Sequence, residues 1–264
     1  MSFQPIIPVS GLAGWSFLNR TMDSQRSAFE NGPAIKRDVD HFREKIKDVS
    51  SAKELVSDRQ LLNVALGAFG LEADIGNKYF IQKILEDGTI DPEALGNKLA
   101  DKRYLAFSQA FGFGENAIPL SKAEGFADEI IDQFHGRQFE VAVGEQNEDL
   151  RLALNLERDL SAIVDQQTSE NTKWFSIMGN PPLREVFETA LNMPTGSAQL
   201  DLDQQLDIFR DQSERLFGSS DPAIFTSSEN RENLVEAFLL RSQIAQGQAF
   251  LSPASIALTL LSNL

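Results

Sequence analysis

One pattern constrains this chain more than any other. The stretch Asp58 to Leu71, DRQLLNVALGAFGL, returns at Asp101 to Phe113 (DKRYLAFSQAFGF) and, more loosely, at Asn180 to Met193 (NPPLREVFETALNM). Each copy reads as a complete helix. A polar residue with a short side chain (Asp58, Asp101, Asn180) is placed to accept hydrogen bonds from the unsatisfied first amides. Apolar residues run along one face, and the helix stops at Gly70, Gly112 or Asn192, residue types that tolerate the left-handed conformation. A large apolar residue follows each stop (Leu71, Phe113, Met193), positioned to fold back on the last turn. What recurs is packing geometry rather than chemistry.

The same logic extends along the chain. Period-two strand patterns are scarce and helical spacing dominates, so the sequence predicts an all-α protein, a multi-helix orthogonal or bundle-like array with two related helical halves. Residues 1–10, with Pro5 and Pro8, form an extended start. An N-terminal helical half is expected over 11–114, a C-terminal half over 115–249 and an apolar tail over 250–264, with both halves free to share one core. The Gly112 to Leu120 segment, GFGENAIPL, marks the internal boundary. A helix is expected from Gly11 to Glu30. In the next, Ile35, Val39, Phe42, Ile46 and Val49 alternate by fours and threes, a narrow stripe that needs a helical partner. Ser51 with Glu54 and Ser121 with Glu124 read as capping boxes, and Asp91-Pro92 as a helix start. A long helix is predicted from about Gln138 to Asp165, weakest at Gly144.

Composition narrows the function classes. The chain has 39 acidic and 24 basic residues, a formal net charge of -15, which disfavours attraction to nucleic-acid phosphates or anionic headgroups. No apolar run approaches the roughly 20 residues of a membrane span, and the first residues lack the basic and long apolar regions of a cleaved signal. Cysteine is absent, which removes disulfides and thiolate chemistry.

The chemistry-bearing residues form no recognisable constellation. His41 and His135 fall on separate predicted helices without metal-ligand spacing, and His41, beside Asp38 and Asp40, is expected on a solvated face. The acidic stretch Asp87 to Lys98 has Pro92 where a calcium loop needs glycine and Lys98 where it needs glutamate. Gly112 and Gly114 make one GxG without the rest of a dinucleotide fingerprint. No catalytic residue, cofactor site or metal site is assigned. The 19 phenylalanines, against two tyrosines and two tryptophans, suit helix-on-helix packing, since phenylalanine brings area without a polar handle. Apolar residues near the two ends, Phe3, Ile6, Ile7 and Trp15 and then Phe250, Ile256, Leu260 and Leu261, sit in segments too short to bury themselves and are the candidate partner contacts.

SGLAGWSFLNRT (Ser10 to Thr21), LLNVALGAFGLE (Leu61 to Glu72) and LADKRYLAFSQAFGF (Leu99 to Phe113) together resemble an uncharacterised alphaproteobacterial family, a domain of unknown function whose members are often encoded among flagellar genes. The resemblance implies an all-helical fold and a flagellum-linked role. It supplies no catalytic residues. The expected function is a non-enzymatic structural or protein-protein interaction protein in flagellar assembly, export or the structure itself. Its partners would be proteins, flagellar components or further copies of the chain, and its location cytoplasmic or exported through the flagellar route. The alternative is a helical small-molecule- or peptide-binding regulatory domain unrelated to motility, whose mark would be a closed, mostly apolar pocket of about 300 Å³ or more.

Overall fold

A computed structural model describes residues 3–194 and 196–250. It contains thirteen α-helices, and no strand among the described residues. In chain order they are α1 (Gly11–Glu30), α2 (Pro33–Lys45), α3 (Ala52–Ser57), α4 (Arg59–Phe69), α5 (Lys78–Asp87), α6 (Leu95–Lys98) and α7 (Arg103–Phe111). There follow α8 (Phe126–Gly144), α9 (Glu148–Val164), α10 (Glu170–Met178), α11 (Pro181–Ala190), α12 (Leu202–Phe217) and α13 (Ser228–Phe250). The all-α expectation holds.

The described residues divide into two compact units, one within Met1–Ile6 and Asn19–Gln146, the other within Ile7–Leu18 and Asn147–Leu264. The division falls after Gln146, not in the Gly112 to Leu120 segment. The physical reason is that α8 packs along α4 and so belongs with the first unit. The long helix expected over 138–165 is two helices: α8 ends at Gly144, and Asn147 opens α9 by accepting a 3.0 Å hydrogen bond from the Leu150 amide.

In the first unit α4 is the central helix. Every residue from Leu61 to Phe69 except Asn63 is buried. Its ends follow the sequence reading. Asp58 accepts from the Gln60 and Leu61 amides at 2.9 and 3.1 Å, and Gly70 takes the left-handed conformation at φ 68°. The Leu71 amide reaches back to the Leu66 carbonyl at 2.9 Å, and Leu71 is buried, the hydrogen bond and apolar clamp of a Schellman ending. The third copy closes the same way. Asn180 caps α11 through the Leu183 amide, Asn192 has φ 51°, and the Met193 amide bonds the Glu188 carbonyl at 2.9 Å. The second copy differs at its start. Asp101 bonds the Arg103 amide, but Lys102 intervenes before the helix, while Gly112 ends it at φ 61°.

Three local expectations fail for stated reasons. Ser121 is no helix cap: buried in a single 3-10 turn, it donates to the Val49 carbonyl at 3.0 Å, and α8 starts later, after Gly125 at φ 83°. Asp91-Pro92 opens a turn in which Asp91 accepts from the Glu93 amide, and the helix proper, α6, spans four residues. Ser51 caps α3 as expected, but Glu54 reaches the Ser50 amide rather than that of Ser51.

The second unit is organised around Trp174. Its ring meets Phe187 edge-on and Phe209 obliquely, both at 5.6 Å between centroids, and Phe187 and Phe217 each meet Phe225. The indole N–H donates to the Ser220 carbonyl at 2.7 Å, so the one polar atom of this buried side chain is satisfied. α13 lies against α9 and α11 through Leu234, Val235, Phe238 and Leu239.

The two glycine-type endings give a direct test. A Cβ at position 70 would stand 3.1 Å from Arg137 Nη1 and 3.3 Å from Arg103 Nη1, in a left-handed backbone. Gly70→Ala is therefore expected to cost about 1–2 kcal/mol. Asn192→Gly, at a position that already favours glycine, is expected to change stability by no more than about 0.5 kcal/mol. Urea denaturation of both variants checks the contrast.

Candidate interaction surface

The histidine expected on a solvated face is part of a polar seam. On α2, Asp38 and His41 lie three residues apart and so share a face. That face looks onto α4. Asp38 accepts from the side chains of Gln60 (3.1 Å) and Asn63 (3.3 Å), and His41 Nε2 lies 2.8 Å from Asp58 Oδ2. Asp58 thus caps α4 with one oxygen and ties α2 to it with the other. Burial alone would raise its carboxyl. The hydrogen bonds from His41 and from the Leu61 and Gln60 amides outweigh that, and the group is held below the ordinary aspartate value. Of Asp38, Asp40 and His41, Asp40 is the one that is exposed.

A second polar cluster joins the first two sequence copies. Arg103, the first residue of α7, is gripped by Asp101 at 2.7 Å and donates to the Gly70 carbonyl at 2.6 Å, where α4 ends. Its neighbour Tyr104 donates to Asp74. Burial first, and then that hydrogen bond, push the phenol up to about 12. Both clusters hold helices together.

His135 is half-buried on α8, with Nε2 lacking a partner, and burial moves its pKa down. Among the described residues no three or more His, Asp or Glu side chains come together with metal-site geometry. Three depressions among the described residues are open to solvent. One of about 620 Å³ lies over Ser51, Glu54 and Asp58, and two in the second unit, of about 370 and 380 Å³, share Arg241.

The candidate contact residues separate into three groups. Trp15 is 4% exposed, a core residue of the second unit, and is withdrawn as a contact. The first turn of α1 is locally tight: a Cβ on Gly14 would fall 2.1 Å from the Val9 carbonyl oxygen. Ile6, by contrast, is 60% exposed although its backbone is fixed. The buried Gln25 side chain accepts from the Ile6 amide at 2.6 Å and donates to its carbonyl at 3.2 Å, and Gln146 donates to the Pro5 carbonyl. Phe3 and Ile7 are half-buried. The side chain of Phe250, and Ile256, Leu260 and Leu261 entirely, lie outside the described residues.

Sequence reading missed a further surface. Besides its buried stripe, α13 carries a second one on the opposite side: Ala237, half-buried, Leu240, 47% exposed, and Ile244, 58% exposed. Arg241 borders it, has no ion pair among the described residues, and keeps Nη1 shielded without an acceptor. The signal was present in the spacing of Ala237, Leu240 and Ile244, but the stronger stripe at Leu234, Val235, Phe238 and Leu239 masked it.

With these surfaces in place, comparison with known proteins fixes the lineage. A family model described as a protein of unknown function, DUF1217, matches residues 68–224, more than half of the chain. The chain belongs to the DUF1217 family. The matched span contains two of the quoted resemblance segments in whole or part and leaves out Ser10 to Thr21. The crystal structure of protein AGR_C_984 from Agrobacterium tumefaciens is similar to this DUF1217 chain with a TM-score of 0.71 and 24% identity, covering 92% of this chain and 99% of that one. At that identity the likeness speaks for the fold alone. No curated protein matches. Among the described residues no helix is long and apolar enough to cross a membrane.

The Asp58 seam makes a quantitative prediction. Asp58→Ala is expected to cost about 1–2 kcal/mol through the lost cap. Because the folded-state pKa is depressed, the wild-type contribution is present above the ordinary aspartate range and is lost as pH falls through the folded value. Asp58→Asn keeps an acceptor for the α4 amides but should show a flatter acid limb. Urea midpoints measured from neutral to acid pH compare the three proteins.

Proposed function

We propose that this protein is a non-enzymatic interaction component linked to the bacterial flagellum, acting in assembly, in export or within the structure. The flagellar part rests on the sequence resemblance carried by Ser10 to Thr21, Leu61 to Glu72 and Leu99 to Phe113. The interaction part rests on one observation above all: large apolar side chains are held in water on firmly placed backbone, Ile6 at 60%, Ile244 at 58% and Leu240 at 47% exposure. Because their backbone is already ordered, association costs only the side-chain freedom of these residues, which favours contact with another protein surface. The depressions over Ser51 and Asp58 and beside Arg241 are open, with mixed polar and apolar lining, a form that suits contact with another surface.

A strain lacking the gene is expected to swim poorly or to assemble short or few filaments, and wild-type protein should restore it. Protein carrying Ile6→Asp, or Leu240→Asp with Ile244→Asp, should fold normally, because these positions are exposed, and fail to restore motility. Normal swimming and normal filaments in the null strain would contradict the proposal. Recovery in sheared filaments, lost when the export gate is disrupted, separates a role in the structure from one in the cytoplasm.

A further inference from the structure

We infer that Gln25 and Gln146 form a binding site for an extended peptide strand in which a proline precedes the clamped residue. Pro5 and Ile6 of the same chain fill it in this structure, and the matching strand of a second copy takes their place when they are withdrawn. This goes beyond the reading above, because it concerns the backbone of the segment and not the exposed Ile6 side chain.

A segment outside regular structure must find partners for its backbone groups elsewhere. Residues 3–8 belong to no helix or turn, and for Pro5 and Ile6 the partners are side chains of the first unit. Gln25, on α1, is 6% exposed. Its Oε1 accepts from the Ile6 amide at 2.6 Å, and its Nε2 donates to the Ile6 carbonyl at 3.2 Å and to Thr21 Oγ1 at 2.8 Å. A glutamine amide has two N–H donors, and both are in use. The Thr21 bond, one helical turn back, sets the orientation of the amide and leaves one donor and one acceptor facing the strand. That is the pair which a neighbouring β-strand offers to a single residue. Gln146 donates to the Pro5 carbonyl, and Pro5, being proline, has no N–H to satisfy. The polar backbone groups of both residues are thus met by two glutamine side chains.

Two consequences define the ligand. The bonds from Gln25 and Gln146 span 19 and 141 positions of sequence, so none depends on the strand being joined locally to the site. A strand from another molecule can make the same ones. They read backbone, and the clamped residue is unrestricted, since Ile6 turns its side chain outward. Selectivity comes from the residue before it. Pro5 is buried, and any other residue there would add an amide N–H that needs its own acceptor. The fixed φ of proline already suits an extended chain, so little ordering is needed on binding. Residues 3–9, FQPIIPV, carry no charge, so the net charge of -15 does not oppose their entry.

The test uses the purified full chain, so its result is independent of any flagellar role. In a chain carrying Pro5→Asp with Ile6→Pro the site is emptied: a charge replaces the buried ring, and the amide from which Gln25 accepts is removed. The probe is a fluorescently labelled synthetic peptide of residues 3–9, followed by anisotropy. The emptied chain should bind it about tenfold or more tighter than wild type, whose own strand competes at the high effective concentration of a linked ligand. Adding Gln25→Ala should weaken that binding about tenfold, two hydrogen bonds being lost. A peptide carrying Ile6→Ser should bind within about threefold of the unaltered one, because that side chain faces outward, whereas general hydrophobic adhesion would fall with it. Circular dichroism establishes folding; if the double substitution unfolds the chain, Ile6→Pro alone, which adds no charge, takes its place. No binding by the folded emptied chain, equal binding by wild type, binding unchanged by Gln25→Ala, or loss of binding with the Ile6→Ser peptide would overturn the inference.

Discussion

The first unit depends on how closely α8 approaches α4 at Gly67. A Cβ there would lie 2.8 Å from two carbons of the Phe134 ring and 3.0 Å from the Gln138 amide nitrogen. Hydrogen in place of a methyl group lets the ring lie against the helix backbone, which gives dense packing. The consequence is that α4 has almost no wet face, and a helix so enclosed cannot leave its end groups to water. Its start is satisfied by Asp58. Its end is satisfied by the left-handed Gly70, the Leu71 amide and the Arg103 guanidinium on the Gly70 carbonyl. The surrounding helices are thereby recruited through the caps: α2 through His41 on Asp58, α7 through Arg103.

The second unit solves the same problem with aromatic packing. Trp174, Phe187, Phe209 and Phe225 fill its centre, and polar satisfaction is handled at single points such as the indole N–H on Ser220. α13 buries one stripe in this core and keeps another outside it. Buried and exposed apolar residues in this way occupy different faces of one helix. The apolar residues held in water are not a failure of the core to reach them, since Phe238 and Leu239 lie one or two positions from Leu240 and are buried.

Elements whose signal is local were readable in the sequence. The bounds of α1, the caps Asp58 and Asn180, and the stops Gly70, Gly112 and Asn192 follow from single residues and helical spacing. What depends on neighbours was not. Ser121 looks like a cap but spends its hydroxyl on Val49, far away in sequence, and His41 looks solvated until α4 is placed beside it. Trp15 sits in a short segment, which suggested exposure, yet α1 gains its burial from tertiary packing. The boundary between the units was hidden because α8 carries no mark of which partner it will choose. The exposed flank of α13 was obscured for another reason: two stripes on one helix blur each other's periodicity.

Native-state hydrogen exchange tests the central arrangement most directly. If α4 is enclosed and held at both ends, the amides of Val64 to Ala68 should be among the slowest in the first unit and should exchange only through its global unfolding. They should remain far slower than amides at the exposed start of α5, near Lys78 and Tyr79. Exchange of α4 by local opening, at rates matching those at the start of α5, would contradict the placement of this helix as the support of the unit.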